Sequence, residues 1–333
     1  MKNNLFSFAT SELSQDAFIC WLLSFALERH KDEEPELTKC ANNLVELFIG
    51  RTAEIREIKR QYKKIDVLVC IDNDEYIIIE DKTFSSQHGD QINRYADRLV
   101  KDDNIPREKI YSVYYKIIEQ AHREVDAKNV TRTQLLELFK EYVDKVDNQI
   151  FIDYYNHLCT IDKGVSAYLD MNVDISDWWK HCRYAYIGFF THLIEDKIID
   201  ISEPADYWWG HVNNPTGGFW CLCWYFLRGE LEVSGLHEAG VSELYLQFEN
   251  NKIAVKMACR DNVVDSTKIR QSIFEYTKQL LNVDKEIVKK KPFRRGKSMT
   301  VCYVEYDMKD YREKLKSMQS VMDSIAEGKY VYP

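Results

Sequence analysis

Two carboxylates and a lysine stand on what otherwise reads as buried β-structure. Residues Ile77 to Lys82 read IIIEDK, and Asp66 lies fourteen positions upstream of Glu80 in a second apolar run, KKIDVLVCI. Charged side chains in such a place are costly unless they are paired or hold a metal. Asp72-Asn73-Asp74 has the composition of a tight turn, so the runs Val67 to Ile71 and Tyr76 to Ile79 are expected to pair antiparallel. A three-residue loop sets Ile71 against Glu75 and, counting back, Asp66 opposite Glu80, with Cβ atoms roughly 4.5 to 5.5 Å apart. A two-residue loop would slip this register. Alternation puts Lys82 on the face of Glu80 and turns Asp81 away. Two like charges held that close repel, and a bound cation relieves them. Magnesium suits the set, because it takes one or two carboxylates and keeps several waters, and manganese can substitute. The expected chemistry is metal-dependent phosphodiester cleavage. Asp66 and Glu80 would hold one or two ions, with a further oxygen from the Asp81 carbonyl, to polarise the phosphate and lower the pKa of a water. Lys82 would place positive charge near the attacking water or the charge developing on phosphorus. The plainer alternative is an edge-strand pair between Glu80 and Lys82, with Asp66 merely starting a strand.

The flanking segments supply the elements that would position this group. Phe18, Ile19, Trp21, Leu22, Leu23, Phe25 and Ala26 make an apolar helical run, and Leu44, Val45, Leu47 and Phe48 suggest another that Gly50 stops. Both would cover one face of the sheet. Glu12 and Asp16 are four apart and share a face near the start of the first helix, where either could reach the site or both could simply favour the positive end of the helix dipole. Gln91 and Tyr95 also stand at i and i+4, facing the strand that bears Glu80. Lys109 to Ile118 supplies a fourth strand.

Taken together, Ile65-Asp66 and Glu80-Asp81-Lys82 resemble the motif of the PD-(D/E)XK nuclease superfamily, with Ile65 in place of the proline. Gln91-Ile92-Asn93-Arg94-Tyr95 is similar to the Gln-x-x-x-Tyr element of its RecB-like branch. Ser11 to Asp16, followed by Trp21-Leu22-Leu23, is similar to the first helix of bacterial members in which an acid reaches the metal site. The resemblance covers roughly residues 5 to 120. It implies an α/β (α+β) restriction-endonuclease-like core, with a central mixed four-stranded sheet flanked by helices. It also implies a Mg2+-dependent nuclease using Asp66, Glu80, Lys82, Gln91, Tyr95 and Glu12 or Asp16, without choosing between DNA and RNA.

Length and composition frame the rest. With 333 residues, 45% of them hydrophobic, the chain has material for two packed cores. The expected division is a nuclease core over 1–125, a helical connector over 126–205 and a smaller α+β domain over 206–333. The connector is expected to hold helical stretches at 131–146, 150–169 and 174–199, the second broken near Asp162-Lys163-Gly164. In the last part, Phe219 to Leu227, Leu231 to Val233, Glu243 to Glu249, Lys252 to Cys259 and Met299 to Tyr306 read as strands. Helices are expected at Ser266 to Leu281 and Tyr311 to Glu327. The nine cysteines lie in apolar contexts without a paired Cys-x-x-Cys set and read as reduced core thiols. No long apolar run or leader pattern is present, so a soluble cytoplasmic protein with no membrane partner is expected.

Nucleic acid, DNA favoured over RNA, is the expected partner, beside a homodimer mate or partner protein. Phosphate contacts are assigned to Lys63 and Lys64 ahead of the site and to Lys290, Lys291, Arg294 and Arg295 in a basic, proline- and glycine-containing stretch. Arg56, Lys59 and Arg60 would steer the backbone toward the metal. Trp208, Trp209, Trp220, Trp224 and Tyr225 form either a base-stacking platform or ordinary core. A net charge of -9 argues against non-specific coating of nucleic acid and for locally focused binding. The function expected is a DNA endonuclease in bacterial defence, restriction or repair. The alternatives are a ribonuclease with the same site and a non-catalytic nucleic-acid-binding or assembly module.

Overall fold

The computed structural model describes residues 3–83, 90–122, 126–170, 174–201, 206–213, 218–260, 265–282, 287–288, 293 and 296–333. The chain is mixed α/β and divides into two units, Met1–Gly164 and Val165–Pro333. The residues expected as a connector are therefore shared between the units, and the second unit is no smaller than the first.

In the first unit, helices α1 (Glu12–Ser24) and α2 (Pro35–Ile49) precede the sheet. Proline at its start and Gly50 in the left-handed region (φ 76°) at its end give α2 its limits. The strands follow as β1 (Ile55–Tyr62), β2 (Ile65–Ile71) and β3 (Glu75–Lys82). Helix α3 (Gln91–Asp103) then leads to β4 (Ile110–Lys116) and β5 (Lys128–Thr131). Helices α4 (Arg132–Lys140) and α5 (Gln149–Ser166) close the series.

The sheet order is β1-β2-β3-β4-β5, antiparallel among the first three strands and parallel from β3 to β5. It has five strands where four were expected. The fifth is only Lys-Asn-Val-Thr, too short to show an alternating pattern, and its one fully buried side chain is Val130. The turn between β2 and β3 is Asp72–Asp74, with Asn73 and Asp74 at positive φ, and Ile71 faces Glu75 as the three-residue loop requires. Ile65, Leu68 and Ile78 pack with Tyr95, Ala96 and Leu99 of α3 in one cluster. The alternate residues turn to the other face, where Tyr115 of β4 meets Phe48 of α2 edge to face. Full burial of one such aliphatic side chain contributes about 1.5 to 3 kcal/mol. Helix α5 runs through Asp162-Lys163-Gly164 without the expected break, since Leu158, Ile161 and Gly164 continue its buried stripe.

In the second unit, α6 (Trp178–His181) and α7 (Tyr184–Glu195) replace the single helical stretch expected at 174–199. The strands are β6 (Tyr207–Val212), β7 (Phe219–Leu227), β8 (Val241–Glu249) and β9 (Lys252–Cys259). After α8 (Ser266–Leu281) come β10 (Ile287–Val288), β11 (Ser298–Glu305) and α9 (Tyr311–Ala326). They form an antiparallel sheet in the order β10-β11-β9-β8-β7-β6. Leu231 to Val233 is not a strand. Its leucine is buried by a single helical turn, Gly229–Leu231, and the segment is too short to sustain a ladder. Trp209 and Trp224 are core residues, the latter stacked on Phe248 with ring centroids 4.9 Å apart, while Trp208 is exposed. Cys221 and Cys223 share a face beside Tyr245, and every cysteine is a free thiol. Among the described residues, no helix is long and apolar enough to cross a membrane.

Gly188 sits where α7 meets the backbone of Val165, and a Cβ there would overlap the Val165 carbonyl. Gly188→Ala is expected to destabilise the protein by about 2 kcal/mol, the order of an overpacked core, despite alanine's better helix propensity. Chemical denaturation measures this, and an unchanged midpoint would contradict the packing described.

Candidate active site

Register brings the acidic residues together. The β2-β3 ladder is paired as far as Val67 against Ile79, so the next step sets Asp66 beside Glu80, and the Asp81 amide donates to Asp66 Oδ2 at 3.3 Å. Lys82 Nζ then lies 2.5 Å from Glu80 Oε1, 3.6 Å from Asp66 Oδ2 and 3.8 Å from Glu12 Oε2, and donates to the Asp81 carbonyl at 2.9 Å. Glu12 comes from the first turn of α1, where its other oxygen accepts from the Thr83 amide at 3.3 Å. Three carboxylates therefore surround one ammonium group.

Desolvation governs their charges. Glu80 is fully buried and Lys82 nearly so. Burial, reinforced by the Asp66 charge and opposed by Lys82, pushes the Glu80 carboxyl up to about 7. Burial works against the Lys82 charge too, but Glu80 and Asp66 outweigh it and hold Lys82 above its ordinary value. Asp81 points the other way along the alternation, accepting from Gln15 of α1, and burial raises its carboxyl well above the usual range. Gln15 in turn accepts from Tyr154 of α5 at 3.2 Å, whose hydroxyl lies 3.0 Å from that of Tyr115. A buried chain of polar groups thus fixes the end of β3 against α1, β4 and α5.

Asp16 also reaches the site. Gln61 Nε2 bridges Asp16 Oδ2 and Asp66 Oδ1, at 3.3 Å from each. Gln61 has a left-handed backbone (φ 55°), as do Lys63 and Lys64 in the hairpin just beyond, a strained local conformation next to the acids. Burial first and the Asp66 charge second raise the Asp16 carboxyl to about 6. Glu12 is thus the first-helix acid beside Lys82, and Asp16 the one joined to Asp66. On the same face of the sheet as Glu80, Gln91 of α3 donates to the Tyr95 hydroxyl at 2.7 Å, and burial raises the Tyr95 pKa, with Glu80 and Asp66 adding to it.

The donor chemistry suits a hard divalent cation, since every group offered is an oxygen. Glu80 Oε1 is taken by Lys82, but Glu80 Oε2 is buried without a hydrogen bond, a costly state that a cation near Glu80 and Asp66 would relieve. Among the described residues, no three His, Cys, Asp or Glu side chains are gathered closely enough to ligate one ion, and the Lys82 ammonium stands among the three carboxylates.

Other assigned residues are placed differently. Lys63 is tied to Asp103 at 2.7 Å, because the hairpin lays it against the end of α3, so its charge is already paired. Lys64 is exposed in the same turn. Lys290, Lys291, Arg294 and Arg295 lie outside the described residues. The sequence reading missed Gln15, Gln61, Tyr154 and Lys116. Lys116 ends β4 beside Lys82, donates to the Thr83 carbonyl at 2.9 Å, and is lowered to about 8 by burial. It carried the same signal as Lys82, a charge closing an apolar strand. The two glutamines and the tyrosine carried none, because ordinary surface residues have the same local spelling.

Comparison with protein-family models, curated proteins and solved structures finds no match.

Without a divalent cation, folded Glu80 takes its proton at about 7 instead of 4.5, and folded Asp16 at about 6 instead of 3.8. The folded state then binds more protons than the unfolded chain across this window, so this contribution is most favourable at low pH and declines as pH rises. In EDTA, the stability of wild type relative to Glu80→Gln is expected to fall as pH rises from about 4.5 to about 7. A difference that stays constant over that range would contradict the burial assigned to Glu80.

Proposed function

We propose that this chain is a metal-dependent nuclease of the PD-(D/E)XK type that hydrolyses phosphodiester bonds, with DNA as the favoured substrate. The observation that carries the reading is the convergence of Asp66, Glu80 and Lys82 at the paired ends of β2 and β3, with Glu80 Oε1 held by Lys82 and Glu80 Oε2 buried without a hydrogen bond. Asp66, Glu80 and the Asp81 carbonyl are the groups that would hold Mg2+ or Mn2+, whose chemistry when bound is to polarise the phosphate and make a water a better nucleophile.

The chain's own residues do the rest. Lys82 is kept cationic by Glu80 and Asp66 and offers a fixed positive charge to phosphate oxygens as negative charge develops on them. Lys116, the second buried lysine at the same strand ends, adds to the local positive potential. Gln15 and Tyr154 hold Asp81, and through its backbone the strand end that carries Glu80 and Lys82. Gln61 orients Asp66, and Glu12 fixes Thr83. Preorganisation of this kind spares the site reorganisation when charge develops. A role in bacterial defence, restriction or repair follows from the resemblance by analogy.

One observation favours a second reading, a non-catalytic nucleic-acid-binding module: the lysine already neutralises part of the carboxylate charge. Cleavage assays separate the two. Wild type with Mg2+ or Mn2+ is expected to cut DNA and to stop in EDTA. Asp66→Asn and Lys82→Ala, folded by circular dichroism, are expected to lose about 10²- to 10⁴-fold in rate, the scale for removing one positioned catalytic group. Equal cleavage by all three proteins would remove this site from the mechanism, and no cleavage of single-stranded DNA, duplex DNA or RNA by wild type would favour the binding module.

A further inference from the structure

The helix strip that bears the two acids does not end at the site. Glu12, Asp16, Cys20 and Ser24 repeat every four residues and so lie along one side of α1. Opposite them runs β1, an edge strand in which Ile58 and Arg60 alternate onto one face and Arg56 stands at a bulge between Ile55 and Glu57. Cys20, Ser24 and Leu27 on one wall and Arg56, Ile58 and Arg60 on the other enclose an open groove of about 680 Å³. Its inner end adjoins the site. Arg60 is close enough to Asp16 for its charge to act on that carboxyl, and the next residue, Gln61, touches both Asp16 and Asp66.

The charges along the groove are unequal in availability. Of the acids that line it, Glu28 is paired with Lys31 at 2.7 Å and Glu57 with Lys59 at 3.0 Å, which leaves Glu54. Among the described residues Arg56 is held only by an exposed pair with Asp74 at 3.4 Å, of a kind that contributes little and exchanges readily for another anion. Arg60 has no ion pair with any described carboxylate and is exposed. Two exchangeable guanidinium groups thus stand along a half-apolar floor that leads to the phosphate site, and guanidinium is the side chain best matched to phosphate oxygens.

We infer that this groove between α1 and β1 is a track for one strand of DNA entering or leaving the site, which makes the substrate single-stranded where it crosses the protein. This rests on the nuclease reading for its direction, since the track ends at Asp66. A groove of this volume is in the range that holds a small organic molecule, so it takes in a short run of one strand rather than two paired strands side by side. The charged sequence of β1 also argues against a protein strand adding to this edge, because alternating charges on an edge strand disfavour that pairing.

The test is binding in EDTA, where cleavage is silent, using the full chain and a short fluorescent DNA strand, its duplex and its RNA counterpart. Wild type is expected to bind the single DNA strand more tightly than the duplex or the RNA. Arg56→Ala combined with Arg60→Ala is expected to weaken single-strand binding about tenfold and to reduce the salt slope by about 1.4, at about 0.7 per phosphate contact on a single strand. Ser24→Glu, which adds a negative charge to the wall without touching either arginine, is expected to weaken it too. Tighter binding of duplex or RNA, no binding by wild type, or variants that bind like wild type would overturn the track. Lys82→Ala separates the two claims: intact binding without Mg2+-dependent cleavage in wild type sinks the nuclease reading alone, while cleavage lost in Lys82→Ala but unaffected by the arginine changes sinks the track alone.

Discussion

A carboxylate fully removed from water, Glu80, faces a nearly buried lysine at the end of β3, and the first unit is arranged around that confrontation. An isolated carboxylate in such a place would simply take up a proton. Lys82 prevents that from being the whole outcome, yet one ammonium cannot satisfy Glu80, Asp66 and Glu12 together. The group is left electrostatically unfinished. A cation, a proton or a phosphate-bearing ligand completes it, and this is the property that distinguishes it from an ordinary surface pair.

The cost of keeping such a cluster buried is met by its surroundings. Ile77, Ile78 and Ile79 anchor β3 in the centre of the sheet, and Val67, Leu68 and Val69 pair beside them. Gln15, Tyr154 and Tyr115 close a buried hydrogen-bonded line behind Asp81. Charged and polar groups collect where the strands end because only there does the sheet stop requiring apolar side chains on both faces. The same placement leaves Asp66 and Glu12 partly open to solvent while Glu80 stays covered.

What could be read ahead of the structure divides along physical lines. The turn Asp72–Asp74 announced its place through its composition, while its three-residue length, and with it the register that sets Asp66 beside Glu80, came from the structure. Gly50 marked the end of α2 through the left-handed backbone it adopts. Helix α8 agreed at both ends, since Asp265 caps its start and Asn282 its finish. Strand β5 was lost because four residues cannot display a period, and β6 because its tryptophans read as a cluster. The break expected inside α5 failed because packing overrode the weak propensity of Gly164. Gln15, Gln61 and Tyr154 became part of the site only through tertiary contact, which no local pattern announces.

The proposed divalent cation would bind at the unfinished carboxylate group. The most direct measurement is Mn2+ binding followed by electron paramagnetic resonance, on wild type, Glu80→Gln and Asp66→Asn. Wild type is expected to remove free Mn2+ from solution, and either substitution to weaken this by at least about tenfold, as when a ligand or its support is lost. Equal binding by all three proteins, or none by wild type, would contradict it and leave Glu80 and Lys82 as a buried structural pair.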